Sequence, residues 1–214
     1  MATALFDFAA GQQEEPLGEQ AKVLRGFALE EAPALREALV AIAAAAPFRQ
    51  MTTPGGFQMS AAMTACGELG WVTDRRGYRY TAGDPQTGLP WPSMPACFAS
   101  LALRAAERAG FLRFVPNACL VNRYEPGAKM SLHQDKDERD FSAPIVSVSL
   151  GLPATFLFGG AQRSDRPIRV PLEHGDVVVW GGASRLAFHG VAPVKPGEHP
   201  FWGPFRINLT FRKA

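Results

Sequence analysis

Cysteine is scarce in this 214-residue chain: Cys66, Cys97 and Cys119 are odd in number, far apart, and form no Cys-x-x-Cys pair. That pattern excludes a disulfide framework and a zinc ribbon, and it points to a reducing compartment, with the cytoplasm as the expectation. Long hydrophobic runs are also lacking, so no membrane span is expected. The N-terminus has no basic stretch followed by an apolar segment, so no secretory signal is expected either. An excess of charge is missing too. The 22 Lys and Arg against 20 Asp and Glu leave a net +2, which does not announce a nucleic-acid binder. Any basic surface has to come from local clusters such as Arg75, Arg76 and Arg79, or Lys129, Lys136 and Arg139. Histidine is rare, with four residues, and their positions carry the chemistry.

The remaining composition, 47% hydrophobic and 20% charged, is that of a globular chain with one core. Residues 1 to about 20 hold Gln12, Gln13, Glu14 and Glu15 before Pro16 and suggest a loosely ordered arm; residues 21–214 suggest a single domain. An alanine-rich helix is predicted from Glu30 to Ala46, stopped by Pro47, and a second from about Pro95 to Ala109, stopped by Gly110. Between them, about 48–92, lies a stretch rich in Gly, Pro, Met and aromatics with no helical period. Hairpins and loops of that length often form a functional lid. From about 115 to 214 the chain is all β. Candidate strands are Ala118–Tyr124, Ser131–Asp135, Ile145–Leu150, Ala154–Phe158, Ile168–Leu172, Asp176–Trp180 and Ile207–Arg212, separated by Gly- and Pro-containing turns. Helices before strands make the class α+β, with a sandwich or jelly roll as its β part.

His133 and Asp135 are two residues apart, and His189 follows later. In an extended strand, side chains at i and i+2 share a face, so both groups would aim one way. Two imidazoles and one carboxylate on one face of an octahedral metal are the arrangement of non-haem Fe(II) oxygenases. A His-x-Asp pair by itself is common and more often a surface pair. The basic last strand adds weight: Arg206, Asn208, Thr210 and Arg212 fall on one face, and Ile207, Leu209 and Phe211 on the other. Two arginines beside a metal suit a small dicarboxylate that also chelates it. His174, in a Gly-containing turn, is a competing ligand but fits a turn role better. His199, between Gly197 and Pro200, suits an exposed loop.

The stretch Asn122-Arg-Tyr124-Glu-Pro-Gly-Ala-Lys-Met-Ser-Leu-His133-Gln-Asp135-Lys-Asp137 resembles the core signature of the AlkB family of oxidative nucleic-acid demethylases. Further matches are Ser147–Gly151, His174–Gly182, Arg185–Gly190, Arg206–Arg212 and, upstream, Phe48–Gly56 and Leu69–Trp71. The resemblance spans nearly the whole chain after its first 15 or so residues. It implies a double-stranded β-helix (jelly roll) with N-terminal helices and a nucleotide-recognition lid, using Fe(II) with 2-oxoglutarate and O2 as cosubstrates. Position by position, it implies His133, Asp135 and His189 as iron ligands and catalytic centre. Asn122, Tyr124, Arg206, Asn208 and Arg212 would hold 2-oxoglutarate. Thr53, Met63, Trp71, Tyr78, Asp137 and Arg163 would contact the lesion base, with Trp71 and the His133 ring replacing the stacking a flipped base loses. Ile207 departs from the pattern, where an aromatic would be at home, and the Gln162–Pro167 turn aligns poorly.

The function implied is oxidative demethylation of N-alkylated bases such as 1-methyladenine and 3-methylcytosine in DNA, single-stranded by preference. Formaldehyde, succinate and CO2 would be released by a monomeric enzyme, with duplex DNA and RNA as further substrates. Rivals are an RNA or tRNA demethylase and a small-molecule or protein hydroxylase on the same fold. A non-catalytic jelly-roll binding module is a third, but it would need neither His-x-Asp…His nor two buried arginines.

Overall fold

The computed structural model describes residues 13–214. Its first element is a hairpin of β1 (Glu14–Gly18) and β2 (Ala21–Leu24). The expectation of a loosely ordered arm up to residue 20 is therefore corrected for residues 14–18. Pro16 hid the strand, but its missing N–H is harmless because β1 is the edge strand of its sheet. The part of that arm before residue 13 lies outside the described residues.

Helix α1 (Ala32–Ala45) has Pro in its first turn and buries Ala32, Leu35, Leu39 and Ile42, a stripe with helical spacing. Helix α2 (Ala96–Arg108) follows Pro95 and buries Phe98, Leu101, Ala102, Ala105 and Ala106. Gly110, at φ +95°, ends it in a conformation that side chains disfavour. Both helices begin one or two residues later than the sequence indicates. Between them come two hairpins: β3 (Arg49–Thr52) with β4 (Gln58–Gly67), and β5 (Gly70–Asp74) with β6 (Gly77–Thr81).

The rest is β7 (Ala118–Tyr124), β8 (Met130–His133), β9 (Ile145–Gly151), β10 (Ala154–Phe158), β11 (Ile168–Leu172), β12 (Val177–Trp180), β13 (His189–Val191) and β14 (Arg206–Arg212). One sheet runs β1-β2-β12-β9-β14-β7-β4-β3, a second runs β11-β10-β13-β8, and β5-β6 stands as its own ribbon. The strand pairs of both sheets are antiparallel. The two sheets form the jelly roll.

Alternation along the central strands sorts two layers. Ile207, Leu209 and Phe211 of β14, Val146 and Val148 of β9, and Cys119 and Val121 of β7 pack with both helices in one core. Phe98 meets Phe211 edge-on, ring centroids 5.9 Å apart, a geometry worth about 0.5–1.5 kcal/mol beyond burial. A second core joins Ile145, Val178 and Trp180 of the large sheet to Phe156, Phe158, Val170 and Leu172 of the small one. The other side chains of β7 and β14 point between the sheets, and there the packing gives way to a cavity.

Candidate active site

The cavity is about 770 Å³, and its lining includes the residues expected to hold metal, cosubstrate or base: Thr53, Met63, Trp71, Tyr78, Asn122, Tyr124, His133, Asp135, Asp137, Arg163, His189, Arg206, Asn208 and Arg212. Residues 53 to 212 meet because strands of both sheets, the segments after β3, β8 and β10, and the β5–β6 ribbon surround one space.

His133 ends β8 and His189 begins β13, and the two are direct partners across that antiparallel pair. Gly190 permits the approach: a Cβ there would lie 2.6 Å from the Met130 carbonyl oxygen. The two rings stand 4.4 Å apart. Asp135 is not in the strand, which stops at His133, yet its carboxylate still projects to the same face. His133 Nε2 is 3.6 Å from Asp135 Oδ1, and His189 Nε2 is 3.7 Å from Oδ2. Ligand atoms of the three residues all lie within 4.8 Å of one another.

Each imidazole is oriented by its own backbone. His133 Nδ1 is 2.9 Å from the Ser131 carbonyl and His189 Nδ1 is 3.0 Å from that of Ala187, so Nδ1–H donates and the Nε2 lone pair is free for a cation. Burial, reinforced by the neighbouring His133, pulls the pKa of His189 down to about 4. Burial pushes the Asp135 carboxyl up, but Arg212, His189 and His133 outweigh it and hold the group well below the carboxylate range. A neutral buried imidazole beside an ionised carboxylate has the protonation a metal ligand needs.

Deeper in the cavity Arg206 is 1% exposed. Its Nη2 donates to Ser149 Oγ at 3.1 Å, its guanidinium lies 5.0 Å over the Tyr124 ring, and Nε and Nη1 have no partner among the described residues. Asn122 Oδ1 is likewise unpartnered, while its Nδ2 donates to Asn208 Oδ1 at 3.3 Å. Asn208 Nδ2 donates to Ser147 Oγ at 2.8 Å, and the Thr210 hydroxyl donates to Asn208 Oδ1 at 3.0 Å. Burying a guanidinium with open donors is costly unless an anion completes it. A dicarboxylate with one end on Arg206 and the other at the His-Asp-His group fits these groups.

Arg212, expected to hold the cosubstrate, lines the cavity beside the His-Asp-His group, where its Nη2 and Nε reach Asp135 Oδ2 at 2.6 and 2.8 Å. Its nearest described partner is thus the candidate metal ligand.

Over the mouth, Trp71 stacks on Tyr78, with centroids 5.6 Å apart and planes 16° from parallel. Its Nε1–H donates to Asp137 Oδ2 at 2.7 Å. The His133 ring has His189 as its aromatic neighbour. Arg163 lies 5.1 Å over Phe188. The Thr53 hydroxyl accepts the Phe57 N–H at 3.1 Å and so closes the β3–β4 turn, and Met63 is fully buried in the core beneath. His174 stays in its turn, where Nδ1 accepts the Gly151 N–H at 3.2 Å. His199 is half-buried, its ring 4.5 Å from that of His174.

Sequence reasoning missed Ser147, Ser149, Tyr80, Glu138 and Arg185. The two serines had a signal, a polar alternation within the apolar run of β9. Glu138 had none, because a carboxylate in a charged loop is ordinarily solvated.

Residues 20–212 match the family model described as 2OG-Fe(II) oxygenase superfamily. The chain is 60% identical over 201 residues to the alpha-ketoglutarate-dependent dioxygenase AlkB of Salmonella typhimurium, covering 94% of this chain and 93% of the relative. It is 59% identical, over the same share of each, to the enzyme of that name from Escherichia coli. The solved structure of OsALKBH1 superposes with a TM-score of 0.81 at 30% identity, over 94% of this chain and all of that one. This chain belongs to the 2OG-Fe(II) oxygenase superfamily, and within it to the AlkB type of Fe(II)- and 2-oxoglutarate-dependent dioxygenases.

Proposed function

We propose that this dioxygenase removes methyl groups from N-alkylated bases such as 1-methyladenine and 3-methylcytosine, as a direct-reversal repair enzyme acting on DNA, single strands by preference. We further infer that it works as a monomer in the cytoplasm, where Cys66, Cys97 and Cys119 remain thiols. The observation that carries this reading is the Trp71–Tyr78 stack at the mouth, tied to Asp137 and lining the same cavity as the His-Asp-His group.

When bound, Fe(II) with 2-oxoglutarate and O2 supplies the oxidising power that hydroxylates the N-methyl group, and the adduct then sheds formaldehyde, leaving succinate and CO2 as co-products. The protein's own part is to bind, orient and exclude. His133, Asp135 and His189 offer the metal three ligands on one side and leave the other side open. Arg206, with Asn122, Tyr124 and Asn208 around it, holds the dicarboxylate's far end in a site without water's competition. Trp71 and Tyr78 offer π-faces to a base taken out of its stack, a compensation worth about 1–3 kcal/mol per base. Asp137 then accepts from the exocyclic amine, and its charge complements a ring made cationic by methylation. Arg75 and Arg76 at the β5–β6 turn are exposed and suit the phosphate backbone.

The test compares formaldehyde release from methylated single-stranded DNA, duplex DNA, RNA and free nucleosides. Fastest turnover is expected on the single strand. Faster turnover on RNA moves the substrate to RNA, and no turnover on any nucleic acid sinks the reading.

A further inference from the structure

Glu138 follows Asp137 in the chain, yet it is 6% exposed and does not line the cavity. A carboxylate so buried needs partners, and three different elements supply them. Oε1 accepts the Tyr80 hydroxyl of β6 at 2.5 Å. Oε2 accepts Nη2 of Arg185 at 3.1 Å. Arg212 of β14 stands with its Nε 3.6 Å from Oε1.

Both arginines also grip Asp135. Arg212 holds its carboxylate at 2.6 and 2.8 Å, and Nη1 of Arg185 donates to its backbone carbonyl at 2.7 Å. The path therefore closes on itself, from the Asp135 carboxylate to Arg212, Glu138, Arg185 and back to the Asp135 main chain. Two guanidiniums alternate with two carboxylates, so the ring is neutral. Arg185 is fixed from outside it by the Ala143 carbonyl at 3.0 Å and by the Phe141 ring. Tyr80, which donates to Glu138 and accepts Nη1 of Arg212 at 3.5 Å, branches from the ring into the β5–β6 ribbon that carries Trp71 and Tyr78.

We propose that Glu138 is a positioning residue, holding Arg212 and Arg185 on Asp135 and so setting the orientation and donor strength of that carboxylate toward the metal, with Tyr80 tying the ring to the base-contacting ribbon. The inference rests on the reading of Asp135 as a metal ligand and of the ribbon as the substrate lid. Glutamine at 138 keeps the shape but leaves two guanidiniums facing one carboxylate. The extra positive charge draws on Asp135 and opposes a divalent cation. Phenylalanine at 80 keeps both guanidiniums and both carboxylates of the ring, and removes the branch with one long Arg212 contact at 3.5 Å.

The experiment uses Co(II), whose visible absorption reports its ligand geometry, titrated into the metal-free full-length protein with 2-oxoglutarate present. Glu138→Gln should weaken Co(II) binding by about 10–100-fold, the usual effect of losing an outer partner of a metal ligand. Tyr80→Phe should bind Co(II) as the wild type does. A methylated single-stranded oligonucleotide should shift the Co(II) absorption of the wild type, while Tyr80→Phe binds the oligonucleotide with no such shift. A loss of folding alone would lower thermal stability without separating these two readouts. Wild-type Co(II) affinity in Glu138→Gln overturns the ring's role, and a full spectral response in Tyr80→Phe overturns the branch. Should Glu138→Gln fail to fold, Arg185→Lys takes its place: losing the fork that joins Glu138 to the Asp135 carbonyl should weaken Co(II) binding in the same sense, and wild-type affinity there overturns the ring's role. A wild type that binds no oligonucleotide overturns the functional reading and the branch together; binding without a spectral shift overturns the branch alone.

Discussion

Single side chains in this cavity divide into those that need a cation and those that need an anion, and each kind gives a separable prediction. Asp135 sits between two imidazoles and a guanidinium. Asp135→Ala should therefore abolish metal retention and 2-oxoglutarate turnover together; metal analysis beside succinate formation checks this, and unchanged metal content with full demethylation would remove Asp135 from the site. Arg206 has two open donors in a dry pocket. Losing a charge-assisted pair there costs roughly 2–4 kcal/mol, which is about 30- to 900-fold. Arg206→Ala should raise the 2-oxoglutarate requirement by that order, with lesion affinity little changed. A titration of 2-oxoglutarate against succinate yield tests it, and an unaltered requirement would place the dicarboxylate elsewhere.

Among the elements, the β5–β6 ribbon meets the body through Trp71 to Asp137, Tyr80 to Glu138 and Arg212, and Thr73 to the Thr52 carbonyl. Trp71→Ala should weaken binding of methylated single-stranded DNA by roughly tenfold to a hundredfold, the worth of one stacked base. Succinate formed without DNA should persist, because Trp71 touches neither the His-Asp-His group nor Arg206 through any hydrogen bond present. Measured in one preparation, equal losses of both would make Trp71 a core residue, and unchanged affinity would put the base elsewhere. The same ribbon shows the limits of pattern reading. Its glycines and aromatics announced a hairpin, but nothing local foretold that Trp71 would already be stacked on Tyr78.

Taken whole, the molecule also has an acid-sensitive clasp outside the His-Asp-His group. His174 Nδ1 accepts the Gly151 N–H, and His199 Nδ1 accepts that of Phe201. Burial keeps both imidazoles below their ordinary 6.5, and His199 adds to the effect on His174. Lowered folded-state values mean that the unfolded chain binds the extra protons. The stability these groups contribute is therefore present above about 6.5 and is lost as pH falls below it. The melting temperature should fall between pH 7 and 5.5, and His174→Gln should flatten that slope; an equal slope in the variant would assign the acid sensitivity to other groups.

Much of this protein was legible before any coordinates. The period of two along Arg206–Arg212 and Ala118–Tyr124 separated the helix-packed face from the cavity face, because side chains of a strand must alternate. The His-x-Asp spacing put two ligands on one face for the same reason, even though β8 stops before Asp135. Tertiary structure alone decided the rest. It set His189 opposite His133 through the β8–β13 register, drew Arg212 to Asp135, and buried Glu138 between two arginines from distant parts of the chain. Local spacing determines which way a side chain points, but which charges meet inside depends on the pairing of segments far apart in the chain, and no local pattern encodes that distance.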